Sequence, residues 1–186
     1  MAQHGPVIVG TNLTDEADEA IRQAQVVALS VGAPLIVCHV LRESFRVRVL
    51  FPQEAGSSPS DAHALLTRAS EAVTARTRHV LGLTDAPLGT EVVFGSPHAG
   101  ILDVSERLGA GLVVVGPGAT ALRVSRAAHC PVLNARPSPD KGAICGATDF
   151  SDPERPAVRM AADLATRRGV PLRLVHCLYL EPDAAT

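Results

Sequence analysis

The sequence predicts an α/β fold: a doubly wound sheet of five parallel strands, followed by a truncated βαβ repeat. Three observations predict it. Short apolar runs alternate with stretches of helical periodicity as far as residue 135, the pattern of strands joined by crossover helices. Hydrophobic residues make up 46 % of the 186 and aromatic residues only 3 %. The core must then be Val, Ala, Leu and Ile, which suits a parallel sheet covered on both faces. After residue 142 the opening pattern restarts in register with itself.

The elements follow in order. PVIVGT (6–11) is a short apolar run and reads as the first strand. Thr14 offers an N-cap, with Asp15 and Glu16 in a first turn that favours acidic groups. Ala17, Ala20, Ile21, Ala24, Ala28 and Val31 recur at helical spacing, and Gly32 stops the helix. PLIVCHVL (34–41) is the second strand, which completes a βαβ unit with a right-handed crossover. RESFRVRVLFPQEAGSSP (42–59) is a linker. Ser58 caps the next helix, Pro59 takes its first position and Asp61 follows, and the helix runs to about Leu81. TEVVF (90–94) is a strand. Ser96 and Pro97 open a helix through Ile101, Leu102, Ser105 and Leu108, closed by Gly109. LVVVG (112–116) is wholly apolar and therefore central. ATALRVSRAAH (119–129) is a helix, and PVLNA (131–135) is the fifth, edge strand.

RPSPDKG (136–142) is a linker by composition. Beyond it, Gly142 falls on Gly5, Asp149 on Asn12, Ser151 on Thr14, Ala157 on Ala20, Gly169 on Gly32, Pro171 on Pro34 and His176 on His39, without a gap. The expected organisation is a domain over 1–137, a linker over 138–142 and a partial second copy over 143–186. One helix in that copy covers one sheet face with Ala157, Val158, Ala161 and Leu164. Ile144, Leu172 and Leu174 are assigned to the face without a helix. A unit of roughly 40 residues is too small to stand alone. The copy is therefore expected to dock, on residues 1–137 or on another chain's copy, and the second arrangement makes it a dimerisation element.

Several classes of function are excluded. The formal charge is −2, without the basic face that nucleic acid requires. Lys141 is the sole lysine, so a Walker-type phosphate loop has no lysine in place. The N-terminus MAQHGPVIVG lacks a basic n-region, and no apolar run reaches the roughly 18 residues of a membrane span. Cys38, Cys130, Cys145 and Cys177 form no CxxC pair and read as buried, reduced thiols of a cytoplasmic protein. No His/Cys/Asp cluster has metal-ligand spacing. No G-x-S-x-G appears, and the first domain lacks the lysine of a response-regulator receiver. No catalytic residue is assigned.

Four stretches resemble the universal stress protein family. ATDFSDPERPAVRMAADLA is similar to its opening strand and helix, and LIVCHVL to its second strand. GSPHAGILDVSERLGAGLVVVG resembles its third helix and fourth strand, and SRAAHCPVLNAR its closing helix and fifth strand. The resemblance implies a parallel sheet of order 3-2-1-4-5, of the adenine nucleotide alpha hydrolase-like kind, often dimeric and often in tandem. Many members bind ATP. Their signature after strand four is glycine-x-x-glycine, about nine residues, then Gly-Ser or Gly-Thr opening a helix that cradles phosphates. Here Gly116 matches the first glycine and Gly118-Ala119 the closing pair, so roughly ten residues are absent. Ala119 lacks the hydroxyl, although Thr120 follows.

The turn Gly116-Pro117-Gly118 is thus too short to wrap a triphosphate, and Pro117 lacks an amide proton. The helix start at Ala119 could hold one small anion, although the leading reading of the glycines is a tight turn alone. At the end of strand one, where ATP-binding members carry aspartate, stand Asn12 and, in the partial copy, Asp149. The leading expectation is a stress-response module without family-type ATP binding and without a cofactor, acting through dimerisation or partner binding. The alternative is an ATP- or AMP-binding regulator, or weak ATPase, with a remodelled site around Asn12, Val40, Gly116 and Gly118. A third reading is a tandem protein whose missing half held the working site.

Weaker signals complete the reading. His39 and His176 are equivalent strand residues, read as buried and hydrogen-bonded. His129-Cys130 reads as packing. Residues 42–51 alternate Arg46 and Arg48 with Phe45, Val47, Val49 and Phe51. They form a partner-binding arm or ligand lid, or else a segment packed on its own domain. Val132, Leu133 and Asn134 lie on an edge strand with few protecting charges. A homodimer that covers this edge is expected.

Overall fold

The computed structural model describes residues 5–42, 59–84, 88–137, 142–148 and 156–176. The chain divides into two compact units, Met1–Pro137 and Ser138–Thr186.

The first unit runs β1 (Val7–Thr11), α1 (Asp15–Val31), β2 (Leu35–Leu41), α2 (Pro59–Leu81), β3 (Gly89–Phe94), α3 (Pro97–Arg107), β4 (Leu112–Val115), α4 (Ala119–Ala127) and β5 (Val132–Asn134). All strand pairs are parallel and the order is β3-β2-β1-β4-β5. Val7 pairs with Leu35 on one side and Leu112 on the other. The winding direction reverses between β1 and β4, so their carboxyl ends flank a crevice.

The apolar runs become strands buried on both faces. All five residues of β1 and all four of β4 are buried. One face is covered by α1 through Ala17, Ala20, Ile21, Ala24, Val27 and Ala28. On the other, Ile101 and Val104 of α3 and Ala121 and Val124 of α4 pack with Ile8, Cys38, Val40, Val113 and Val115. Small residues let α3 come close. A Cβ on Gly100 would lie 2.8 Å from Cγ2 of Val40 and 3.0 Å from Cγ2 of Val93. The end of α1 is also as the sequence predicts: Gly32 adopts φ 68°, and its cap returns N–H groups to the carbonyls of Ala28 and Leu29.

Three polar residues are buried in this unit's helices, Asp18, Thr77 and Ser105, and the Ser105 hydroxyl donates to the Leu102 carbonyl at 2.8 Å. Asp18 of α1 is 7 % exposed. Arg76 of α2 grips it with two bonds, Nε to Oδ1 at 3.0 Å and a terminal nitrogen to Oδ2 at 2.8 Å, and also reaches Asp15. Thr77 is wholly buried and its hydroxyl has no hydrogen-bond partner. Its desolvation is uncompensated, so Thr77→Val, which keeps the shape, is expected to stabilise the protein by about 1 kcal/mol. The urea midpoint checks this, and an unchanged or lower midpoint would show that the hydroxyl is satisfied.

The second unit contains β6 (Ile144–Ala147), α5 (Pro156–Arg168) and β7 (Leu172–Val175). Its two strands are parallel, and Ile144 pairs with Leu172 as Val7 pairs with Leu35. Gly169 takes φ 62°, as Gly32 takes 68°. One sequence expectation is corrected. A Cβ on Gly146 would meet Leu174 and Leu172 together with Ala161 of α5. Strand alternation puts Ile144 beside them, so Ile144, Leu172 and Leu174 lie on the face that α5 covers. The other face carries Cys145, Ala147, Arg173 and Val175, all exposed. It is a mixed surface rather than a wholly apolar one.

Candidate functional site

The crevice opens into a cavity of about 440 Å³, in the range of small-molecule sites. Its wall is built from the carboxyl ends of three strands and the helices that follow them. β1 supplies Gly10 and Thr11, continued by Asn12. The loop and first turn of α1 add Thr14, Glu16 and Ala17. β2 supplies Cys38 to Leu41, continued by Arg42. Pro97 and Ile101 of α3, with Val115, Gly116, Pro117 and Thr120 around the start of α4, close it. A second hollow between α2 and β3, lined by Leu66, Ser70 and Thr90 among others, lies away from the strand ends.

Of the residues singled out from sequence, Asn12, Val40, Gly116 and Thr120 share this wall. Gly118 and Ala119 do not line it. Gly118 is the N-cap of α4 at φ 130°, a conformation that favours glycine, and Ala119 is the first helical residue. Val132, Leu133 and Asn134 form the outer strand β5, half-buried apart from exposed Asn134. Asp149, Cys177 and residues 43–51 lie outside the described residues. The sequence reading missed Thr14, Glu16 and Arg42 as wall residues.

The loop after β1 is held by three side chains. The Thr11 hydroxyl accepts from the Leu13 amide at 3.1 Å. Oδ1 of Asn12 accepts from the Thr14 amide at 3.2 Å and from the Thr14 hydroxyl at 2.7 Å. His39 Nδ1 lies 2.8 Å from the Thr11 carbonyl; a carbonyl only accepts, so this nitrogen donates. Between these ties Leu13 is held at φ 63°, a left-handed conformation costing roughly 1–2 kcal/mol in a non-glycine residue. Thr14 therefore occupies the N-cap position of α1 but makes no side-chain cap: its proton goes back to Asn12. His176 repeats the tie with the Thr148 carbonyl at 2.8 Å. His39 is half-buried and His176 exposed, so the reading of two buried histidines is corrected. Among the described residues of the second unit there is one helix and a sheet of two strands.

The phosphate side is sparse. Three residues, Gly116 to Gly118, join β4 to α4. The turn packs against the first turn of α1: a Cβ on Gly116 would lie 3.7 Å from the Glu16 carbonyl oxygen. Glu16 thus lies beside this turn and in the cavity wall, in a helical turn that also holds Asp15 and Asp18. The first-turn amides of α4 have no intrahelical partners and could bond one anionic group.

Cys38 in the wall is fully buried. Burial pushes its thiol up to about 12, and the Glu91 carboxylate adds to the shift. Burial also raises Cys130. Cys145 is exposed, contrary to the sequence expectation. The folded protein keeps the Cys38 proton that an unfolded chain releases near pH ~8.5. This contribution is complete below that pH and is lost as pH rises toward 12. The slope reaches up to about 1.4 kcal/mol per pH unit. Urea midpoints between pH 8 and 10.5 are expected to fall more steeply in the wild type than in Cys38→Ala; parallel curves would show that Cys38 titrates freely.

Among the described residues, no group of three or more His, Cys, Asp or Glu could hold a metal ion. No described helix is long and apolar enough to cross a membrane.

The sequence profile described as the universal stress protein family matches residues 4–136 and 142–186. No curated protein matches the chain. Among solved structures, a universal stress protein in complex with cAMP is 23 % identical with a TM-score of 0.50. The match covers 73 % of this chain and 98 % of that one. Universal stress protein UspA from Lactobacillus plantarum is 20 % identical over 73 % of this chain and 100 % of its own, with a TM-score of 0.50. Hypothetical protein MJ0577 is 18 % identical over 74 % and 99 %, with a TM-score of 0.54. At these identities the likeness is one of fold.

Proposed function

We propose, from the premise that this chain belongs to the universal stress protein family, that it is a stress-response module which holds no triphosphate and acts through association. The observation that carries this reading is the three-residue step from β4 to α4. A polyphosphate needs several converging amides or cations. Here the turn offers few amides, Pro117 has no proton to give, and Glu16 stands beside it. Association would use the β5 edge at Val132, Leu133 and Asn134 in a homodimer, with the arm at 42–51 as a further partner surface. On this reading residues 1–137 form a full domain and 143–186 a partial copy, joined by 138–142. No catalytic activity is proposed.

The cavity itself favours a second, compatible reading. It has the size for a small ligand, one helix start for a single anionic group, and Arg42 as the one Lys or Arg among the described wall residues. A nucleoside or nucleoside monophosphate, AMP included, would fit as a regulatory ligand. Calorimetric titration separates these possibilities. ATP is expected to bind more weakly than a monophosphate, and light scattering is expected to show more than one chain per particle. Micromolar ATP affinity that disappears in Gly118→Val would overturn the first reading, as would a monomer.

A further inference from the structure

Asn12 lies in the cavity wall at the carboxyl end of β1, and the two ends of its side-chain amide are not equally available. Oδ1 receives two hydrogen bonds, from the Thr14 amide at 3.2 Å and the Thr14 hydroxyl at 2.7 Å. A backbone N–H can only donate, so the atom facing it must be the oxygen. Turning the side chain over would set an NH2 group against an N–H. The chain itself therefore fixes the orientation. The two bonds occupy both lone pairs of Oδ1. What remains is Nδ2, with two donors and no acceptor.

Two backbone carbonyls nearby each already accept one hydrogen bond. That of Thr11 accepts from His39 at 2.8 Å, and that of Leu41 accepts from the Gly95 amide at 2.9 Å. Among the wall's side chains, the Glu16 carboxylate is a charged acceptor.

We infer that Asn12 is a specificity-determining residue that selects a ligand group able to accept hydrogen bonds, a carbonyl oxygen rather than an amine. This rests on the second reading above, that the cavity takes a nucleoside or its monophosphate. The class it then favours carries an oxo-substituted base, a 6-oxopurine or a uracil, over adenine. Such a base sets an N–H beside its carbonyl, for which the Glu16 carboxylate supplies an acceptor. An amino group against Nδ2 would face donor with donor and leave both unpaired. A mispaired group of this kind costs about tenfold or more in affinity. Asn12→Asp inverts the arrangement: one carboxylate oxygen still accepts both bonds from Thr14, while the other offers the ligand an acceptor.

The test compares inosine 5′-monophosphate with AMP, which differ in the oxo or amino group on the purine, by calorimetric titration of the full chain. Circular dichroism and thermal melting establish that each variant is folded. The wild type is expected to bind inosine monophosphate at least tenfold more tightly, and Asn12→Asp to prefer AMP. Thr14→Val, which returns one lone pair to Oδ1, should narrow the wild-type preference and covers the case in which the aspartate variant fails to fold. Equal or tighter AMP binding by the wild type overturns the inference. So does an oxo preference that persists unchanged in folded Asn12→Asp. If neither nucleotide binds, and guanosine and uridine monophosphates also fail, the nucleoside reading falls and the assignment of Asn12 falls with it.

Discussion

Gly100→Leu is expected to destabilise the first unit by roughly 3 kcal/mol, the upper range for overpacking a filled core. Gly100 lies within α3, and an added Cβ would already stand 2.8 Å and 3.0 Å from the two methyl groups of Val40 and 3.0 Å from Val93. Val40 is only 9 % exposed and β-branched, so it has little freedom to withdraw. A larger side chain must lift α3 from β2 and β3. Ile101, the next residue, is part of the cavity wall, so ligand affinity should fall with stability. Gly100→Ala separates two effects: alanine favours the helix by about 1 kcal/mol, while its Cβ meets Val40. Urea titration of both variants reads the balance. A leucine variant as stable as the wild type would show that α3 has room to shift.

Asp18→Ala should be the second large effect, at about 2 kcal/mol. Removing one member of a buried ion pair leaves the other unpaired, which costs about 3–5 kcal/mol when both are fully buried. Here Asp18's side chain is 10 % exposed and Arg76's is 30 %, and Arg76 keeps Asp15 as a partner, so water and Asp15 compensate in part. The pair also sets how α1 and α2 face one another, since both nitrogens of the fork that bond Asp18 cross between those helices. The double variant Asp18→Leu with Arg76→Met is expected to recover most of the loss, because an apolar pair of similar bulk needs no partner charge. Asp15 is 95 % exposed, and its removal should change stability by less than about 0.5 kcal/mol. If Asp18→Ala were equally mild, the pair would have no role in holding the two helices.

The sheet was legible in the sequence because its strands are buried on both faces. LVVV and VIVGT are continuous apolar runs, and their lengths and flanking glycines distinguish them from helix. The same property hid the faces of the second unit. A strand such as LRLV gives alternation, but the sequence does not say which parity meets the helix. Only the approach of Gly146 to Ala161, Leu172 and Leu174 decides it. The N-terminus of α1 was legible in position and not in chemistry. Thr14 is a good capping residue, yet Asn12 two positions earlier competes for its hydroxyl and wins. That competition depends on Leu13 adopting φ 63°, which no local propensity favours. Asn12, Val40 and Gly116 were found by resemblance. Glu16 was read only as a first-turn acid, because its neighbour Gly116 is distant in sequence and close only after β4 has paired with β1.

The short connection between β4 and α4 also bears on time. A long phosphate-binding loop can order around its ligand, which slows arrival and prolongs residence. Gly116-Pro117-Gly118 has little slack: proline restricts one φ to a narrow range, and Gly118 is held at φ 130°. Nothing in this turn can fold over an occupant. A molecule taken up here would meet a turn already set, with little ordering entropy to lose there on entry and little in that turn to hold it afterwards. Occupancy would follow the surrounding concentration promptly in both directions. That behaviour belongs to a gauge of a metabolite's present level rather than to a store of it.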